Sequence, residues 1–441
     1  MSLKSRVRGS EFFEFLGWGT EEGKGRRCML LSSFLSTIVT CISTGALFTA
    51  FLAAYDFSIV DTTFLGIIPS LAACFCILSP IFLERFQKRR WLLAGGHLLS
   101  RMLDLLCLTI LAIYAKEPQT RMTGFTVILL ASYLVNNLFS GGYSVWHLNF
   151  IKGKFRAQYF SYTQILNTIA SFASLLVFGL LADSLKGTPH EATVLTAMRL
   201  IALVFALAEV IVLCLPIEYP YPRKETSIRL SHIIRLPLRH RKFMMTMLLI
   251  CIWNFSAAFS ASSWTYHLLH NIGAGVTMTN LYYIFTCICL ITSPYWRKRI
   301  DRTSWFRTFA CSAMIHAPAT LLMAFILPTN YLWLYPLCVF IQAFAGVGLN
   351  LSWGNFPFIN TPKEDQTYYL SFHTLISNLG TFLGSGAGAI FVSRFEKLDI
   401  SILGRHFDTA PVMLLIQFVM YLFCIAYILL GHSNLQPSQE T

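Results

Sequence analysis

The chain has 441 residues, 55% of them apolar and only 12% charged, with a mean hydropathy of +0.59. A soluble domain carries about a quarter charged residues, so this composition leaves too little polar surface for water to cover and argues against two or three soluble domains. The formal net charge of +13 would point to nucleic acid on a soluble fold. Here Lys and Arg fall in short clusters between apolar stretches, which is a membrane-topology pattern, and no nucleic-acid partner is expected.

Residues 1–27 mix acids and bases, and the apolar run that follows is too long for a cleavable signal, so the first helix is expected to be a retained span. Crossing the hydrocarbon core takes about 20 apolar residues. Twelve runs meet that need: 28–54, 60–83, 91–115, 124–148, 158–182, 194–215, 243–268, 277–296, 305–327, 331–357, 367–393 and 410–431. Backbone groups in lipid must be satisfied within the segment, so the runs are read as helices. The short alternating segments of a β-barrel are absent from the pattern.

With the N-terminus placed inside, the inner segments hold 26 of the 34 Lys and Arg, which predicts that both termini are cytoplasmic. The segment 216–242 opens with Pro216, Pro220 and Pro222 and carries seven basic residues. It divides six helices (28–215) from six (243–431) and is expected to hold an amphipathic interfacial helix near 226–240. Residues 432–441 form a short C-tail.

The twelve cysteines lie almost entirely inside apolar runs, where Cys behaves as a small hydrophobe. The close pairs Cys74/Cys76 and Cys287/Cys289 point to different helix faces and lack nearby His, so no metal site is expected. The sequence contains no His-Glu-x-x-His, no Gly-x-Ser-x-Gly and no P-loop. No enzyme activity, no cofactor and no ATP-driven pump are expected of it.

The two halves repeat. Cys74 to Trp91 aligns with Cys287 to Trp305 through Ser79-Pro80 and Ser293-Pro294, an offset of 214, which brings Arg85 onto Arg299, Lys88 onto Arg302 and Trp91 onto Trp305. A second match sets Trp146 and Tyr159 against Trp353 and Tyr369, at the corresponding place in the other half. The loop after the second span reads Pro80-x-x-x-Glu84-Arg85-Phe86-Gln87-Lys88-Arg89. It resembles the Gly-x-x-x-Asp-Arg-x-Gly-Arg-Arg loop of the major facilitator superfamily, with both glycines replaced and Lys298 standing for the acid in the second copy.

This resemblance implies an all-α membrane protein of twelve transmembrane helices in two six-helix pseudo-repeat bundles, working by alternating access. It implies a midplane substrate site lined by the first, fourth, seventh and tenth helices. Their mid-span polar residues are Thr40 and Thr44, Asn136 and Asn137, Trp253 and Asn254, and Gln342 and Asn350. They are the substrate-binding candidates, because amides in hydrocarbon need partners that a cavity can supply. Amides, hydroxyls and aromatics without a central carboxylate suit a neutral polar, sugar-like or zwitterionic solute.

Ionisable residues inside spans are candidates for coupling or gating. These are Arg101 and Asp104 in the third span and Glu209 and Arg199 in the sixth, with Glu84, Arg85, Lys88 and Arg89 in the motif loop. Arg101 and Asp104 are three apart and are expected to pair along one helix face. The expected partners are a small-molecule substrate, the lipid bilayer and a coupling ion, H⁺ or Na⁺, for a symporter acting as a monomer. Compact loops point to a bacterial plasma membrane as its multi-pass location. A transporter-like sensor or scaffold is the alternative, with Phe12, Phe13, Phe15 and Leu16 of the N-tail as its interaction segment.

Overall fold

The computed structural model describes residues 15–83, 86–148, 156–218, 230–361, 366–395, 400–402 and 405–435. These fold almost wholly into helices. The first are α1 (Glu21–Ser43), α2 (Gly45–Ala54), α3 (Ile59–Leu65), α4 (Ile68–Cys74) and α5 (Ser79–Leu83). Next, α6 (Arg90–Arg101) runs through a π-helical segment (Met102–Cys107) into α7 (Leu108–Tyr114), followed by α8 (Pro118–Leu148), α9 (Arg156–Ser184) and α10 (Glu191–Cys214). The later helices are α11 (Leu230–Leu238), α12 (Arg241–Phe259), α13 (Ala261–His270), α14 (Val276–Thr279), α15 (Leu281–Cys289), α16 (Ser293–Arg302), α17 (Trp305–Met323), α18 (Tyr331–Trp353) and α19 (Gln366–Arg394). A small antiparallel pair, β1 (Ile400–Ile402) and β2 (Arg405–Phe407), precedes α20 (Thr409–Leu435).

Ten helical stretches among the described residues are long and apolar enough to cross a membrane. Of the twelve expected spans, 277–296 and 305–327 are helical but are not among the ten. The first is broken into α14, α15, a 3₁₀ turn at Leu290–Thr292 and α16, where Pro294 sits in the first turn. The second is α17, which is 19 residues long and carries Arg307, His316 and Pro318.

The chain divides into two compact units. One is made of the chain up to Phe48 with Leu78–Ser227, the other of Thr49–Ile77 with Ile228 onward. The first span therefore contributes to both, and the change of unit falls just after the break between α1 and α2. Gly45 makes that break with φ of +63°, a left-handed conformation open to a residue without Cβ.

In the first unit, α1 packs on α9 and α10, and α6 packs on α8 and α10. The start of α1 is set by Thr20, whose side chain accepts from the Gly23 amide at 3.1 Å, with Glu21 and Glu22 in the first turn. The preceding segment is tied back by Arg26 and Arg27, which donate to the Phe15 and Leu16 carbonyls at 2.6 Å each. The core at this end holds Phe15, Met29, Leu30, Leu83, Leu93, Phe139, Tyr159 and Leu213. Glu218, just past α10, accepts from the backbone amides of Arg89 and Arg90 at the start of α6, the latter at 2.9 Å. A carboxylate there satisfies N–H groups with no partner inside the helix and meets the positive end of its dipole.

In the second unit, α12 packs on α19 and α20, α17 on α18 and α20, and α3 and α4 lie against α19. Gly380, Gly384 and Gly388 of α19 line up one turn apart against Cys251, Phe255 and Phe259 of α12. A Cβ at these glycines would come within 2.7, 2.2 and 2.1 Å of the respective carbonyl oxygens, so only glycine lets the two backbones approach this closely. The short helix α11 is amphipathic, with Ile233 buried in the aromatic core around Phe243 and Phe372, and Ile234 and Leu238 exposed. Asn378 of α19 donates to the Ala73 carbonyl of α4 at 2.9 Å.

Candidate functional site

A cavity of about 420 Å³ lies wholly within the first unit. One wall is hydroxyl-rich because α1 repeats small polar residues at helical spacing: Ser32, Ser33, Ser36, Thr40 and Ser43, with Thr44 just past its end. The opposite wall is charged. His97, Ser100, Arg101 and Asp104 come from α6 and the π segment, Glu209 and Leu213 from α10, and Ser132, Tyr133 and Asn136 from α8.

The ionisable side chains form two interhelical groups. His97 Nε2 lies 2.9 Å from Glu209 Oε1, and Arg101 Nη2 lies 3.4 Å from Glu209 Oε2 and donates to Ser36 Oγ at 3.0 Å. Arg199 Nη2 lies 3.4 Å from Asp104 Oδ1 and also donates to the Asp104 carbonyl, while Arg199 Nε donates to Thr109 Oγ1 at 3.1 Å. The Arg199 guanidinium lies over the Phe48 ring at 5.3 Å. Glu209 and Arg199 are buried, at 3% and 1% exposure.

The expected Arg101–Asp104 pair along one face does not form. Each residue instead takes its partner from α10. The π segment begins at Met102, between the two, and its wider turn moves residues three apart off a common α-helical face. The buried stripe Arg199, Ala202, Ala206, Glu209 and Leu213 of α10 then meets the antiparallel α6 side by side.

Of the sequence candidates, Thr40, Thr44, Asn136, Arg101, Asp104 and Glu209 therefore line one cavity. Asn137 does not line it; its amide donates to the Tyr133 carbonyl at 2.8 Å. Three of the candidates of the second unit make helix contacts there. Trp253 stacks on Tyr421 with centroids 4.7 Å apart, and Asn254 donates to the Ser377 carbonyl and hydroxyl at 3.0 and 2.7 Å. Gln342 donates to Thr320 at 3.0 Å, and Asn350 is exposed.

Lys88 is exposed, and Arg89 stands at the start of α6 with Nε donating to the Phe86 carbonyl at 2.9 Å. Glu84 and Arg85 lie outside the described residues. His97 and Ser32, Ser33 and Ser36 of α1 are cavity members that the sequence candidates did not include. The signal was the spacing, since His97, Arg101 and Asp104 recur at turn intervals in one span and Arg199 and Glu209 lie on another.

A second cavity of about 360 Å³ lies in the second unit between the ends of α13 and α17 and the β2–α20 junction. There His267 Nδ1 lies 3.2 Å from Asp408 Oδ2, which also accepts from Asn271 at 3.2 Å. Burial pushes the Asp408 carboxyl up, but these hydrogen bonds outweigh it and hold it below its ordinary range. No three His, Cys, Asp or Glu side chains gather as a metal site among the described residues.

The family model described as Major Facilitator Superfamily matches residues 29–385. Among solved structures, a bacterial homologue of the iron transporter ferroportin in an inward-facing state is similar at a TM-score of 0.69 and 13% identity, covering 93% of this chain and 98% of that one. The D-xylose-proton symporter is similar at 0.65 and 13%, covering 95% and 98%. The nucleoside transporter NupG is similar at 0.61 and 14%, covering 93% and 98%. No curated protein sequence matches significantly. At these identities the structures share a fold, and the family and its structural neighbours are transporters. The chain is a multi-pass membrane protein that belongs to the Major Facilitator Superfamily.

Proposed function

We propose that this protein is a secondary active transporter that moves a small polar solute across a cell membrane by alternating access, coupled to an ion. In this reading the chain crosses the membrane twelve times with both ends in the cytoplasm. The six-helix halves 28–215 and 243–431 are joined by the basic segment 216–242, and the protein acts as a monomer in the bilayer. The cavity of the first unit is its substrate and coupling site. The carrying observation is that this cavity combines a hydroxyl wall with two buried charge groups at membrane depth, where ionisable groups cost too much to be kept without a role.

The test is a thermal-shift screen of detergent-purified protein against sugars, nucleosides, amino acids and monocarboxylates, followed by uptake of each hit into proteoliposomes. A ligand that binds only the folded protein raises its apparent melting temperature by mass action. The expected result is a shift lost in Asn136→Leu and Thr40→Val, with uptake driven by a proton or sodium gradient. Binding without uptake under any gradient sinks the transport reading.

A further inference from the structure

We infer that the cavity of the first unit carries a monoanion together with one proton, with Arg101 as the anion-binding group and Glu209 as the proton carrier. This rests on the transport reading above and names its substrate class. The hydroxyls and amides of the sequence alone suggested a neutral solute, but the charges brought together here suit a different cargo.

The two arginines are not equivalent. Arg199 is locked, with its side chain 2% exposed and engaged by Asp104, Thr109 and the Phe48 ring. Arg101 is 15% exposed and lines the cavity. A solute carboxylate has five guanidinium donors to choose from on an arginine, and a fork–fork pair needs two of them in one plane. Arg101 can offer that pair only if Glu209 gives it up.

Protonation of Glu209 does this. A proton from the water-filled side joins a Glu209 carboxylate oxygen, the ion pair with Arg101 loses its attraction, and the guanidinium turns its charge to the incoming carboxylate. On release the anion leaves, the proton leaves Glu209, and the original pair re-forms. The empty site holds Arg101⁺ and Glu209⁻. The loaded site holds Arg101⁺, neutral Glu209 and the anion.

Both sum to zero. Proton alone leaves one unpaired cation, and anion alone leaves one excess negative charge. Either must be carried through a low-dielectric interior, which strongly disfavours an unmatched charge. Only the empty and the doubly loaded carrier change conformation readily, which enforces electroneutral one-to-one symport.

The charges that face Glu209 are few. From α6 come His97 and Arg101, with Asp104, Arg199 and the Tyr133 hydroxyl forming the next group. From α1 comes only the Ser36 hydroxyl, since the charges of that helix lie in its first two turns. The packed α9 carries its charges, Arg156 and Asp183, near its ends. His97, 2.9 Å away, holds Glu209 in place.

The experiment measures binding of lactate, glycerate and gluconate to purified protein between pH 5.5 and 7.5. These acids have pKa values of about 4 and stay ionised throughout. The expected result is that at least one binds and that its apparent Kd tightens with falling pH, by up to about tenfold per unit for one linked proton. Glu209→Gln is expected to bind at pH 7.5 as tightly as wild type at pH 5.5, with no pH slope, and to exchange the anion across liposomes without proton-driven accumulation. Arg101→Gln is expected to lose anion binding while keeping its fold, checked by its melting curve.

A persistent pH slope in Glu209→Gln overturns the assignment of the proton. Failure of all three anions to bind folded protein overturns the substrate class. If glucose, xylose or uridine is then bound and accumulated, the transport reading stands and this inference alone falls.

Discussion

Arg199 is almost fully buried and Asp104 is 7% exposed at the cavity wall, and each is the other's main compensation. Removing one side of such a pair leaves a buried charge unmatched, at about 3–5 kcal/mol, whereas removing both is far milder. Arg199→Met alone should therefore lower the melting temperature sharply, and Asp104→Leu combined with Arg199→Met should recover most of the loss. A loss in the double variant equal to the sum of the losses in Arg199→Met and Asp104→Leu alone would show that the two side chains act independently. At the same scale, Glu218 illustrates how one acid past a helix end can fix a loop, because it accepts two amides that the start of α6 leaves without internal partners.

Two features act through whole elements. The π segment at Met102–Cys107 decides which side chains of the third span share a face, and so directs Arg101 and Asp104 to different partners on α10. The glycine row of α19 sets the distance to α12. Gly384→Ala places a methyl group 2.2 Å from the Phe255 carbonyl and should cost about 1–3 kcal/mol, because backbone must shift to admit it. Gly386→Ala meets nothing within 4 Å and should be neutral or slightly stabilising, since alanine favours a helix. Thermal unfolding of the two variants side by side checks the contrast. Equal melting temperatures would mean that the helices can separate without loss.

Over the whole molecule, the distribution of Lys and Arg sets the proposed orientation in the membrane. Lys88 and Lys186, both exposed, lie on opposite sides in that topology. With a membrane-impermeant maleimide on intact cells, Lys186→Cys should label above the background of the native cysteines, and Lys88→Cys only after permeabilisation. The reverse pattern would invert the protein. The division into two units adds a point that the half-and-half repeat does not express. The C-terminal part of the first span and the second span, Thr49–Ile77, cluster with the C-terminal helices, through contacts such as Asn378 with the Ala73 carbonyl.

Membrane class, helical content and the superfamily were legible from composition, run length and the internal repeat, because the bilayer imposes one local rule. Each apolar run must satisfy its own backbone and cover its own length, and both can be checked along a single segment. The sequence also named six of the residues that line the cavity, since polar groups within apolar runs stand out one at a time. Partnership was not legible. Spacing on an α-helix paired Arg101 with Asp104, and only the π turn and the antiparallel approach of α10 moved those charges onto Glu209 and Arg199. Likewise Trp253, Asn254 and Gln342 acquire their partners Tyr421, Ser377 and Thr320 only when the helices that carry them come together. Whether a polar side chain in a span faces a cavity or another helix depends on contacts between segments far apart in the chain, and these exist only in the tertiary structure.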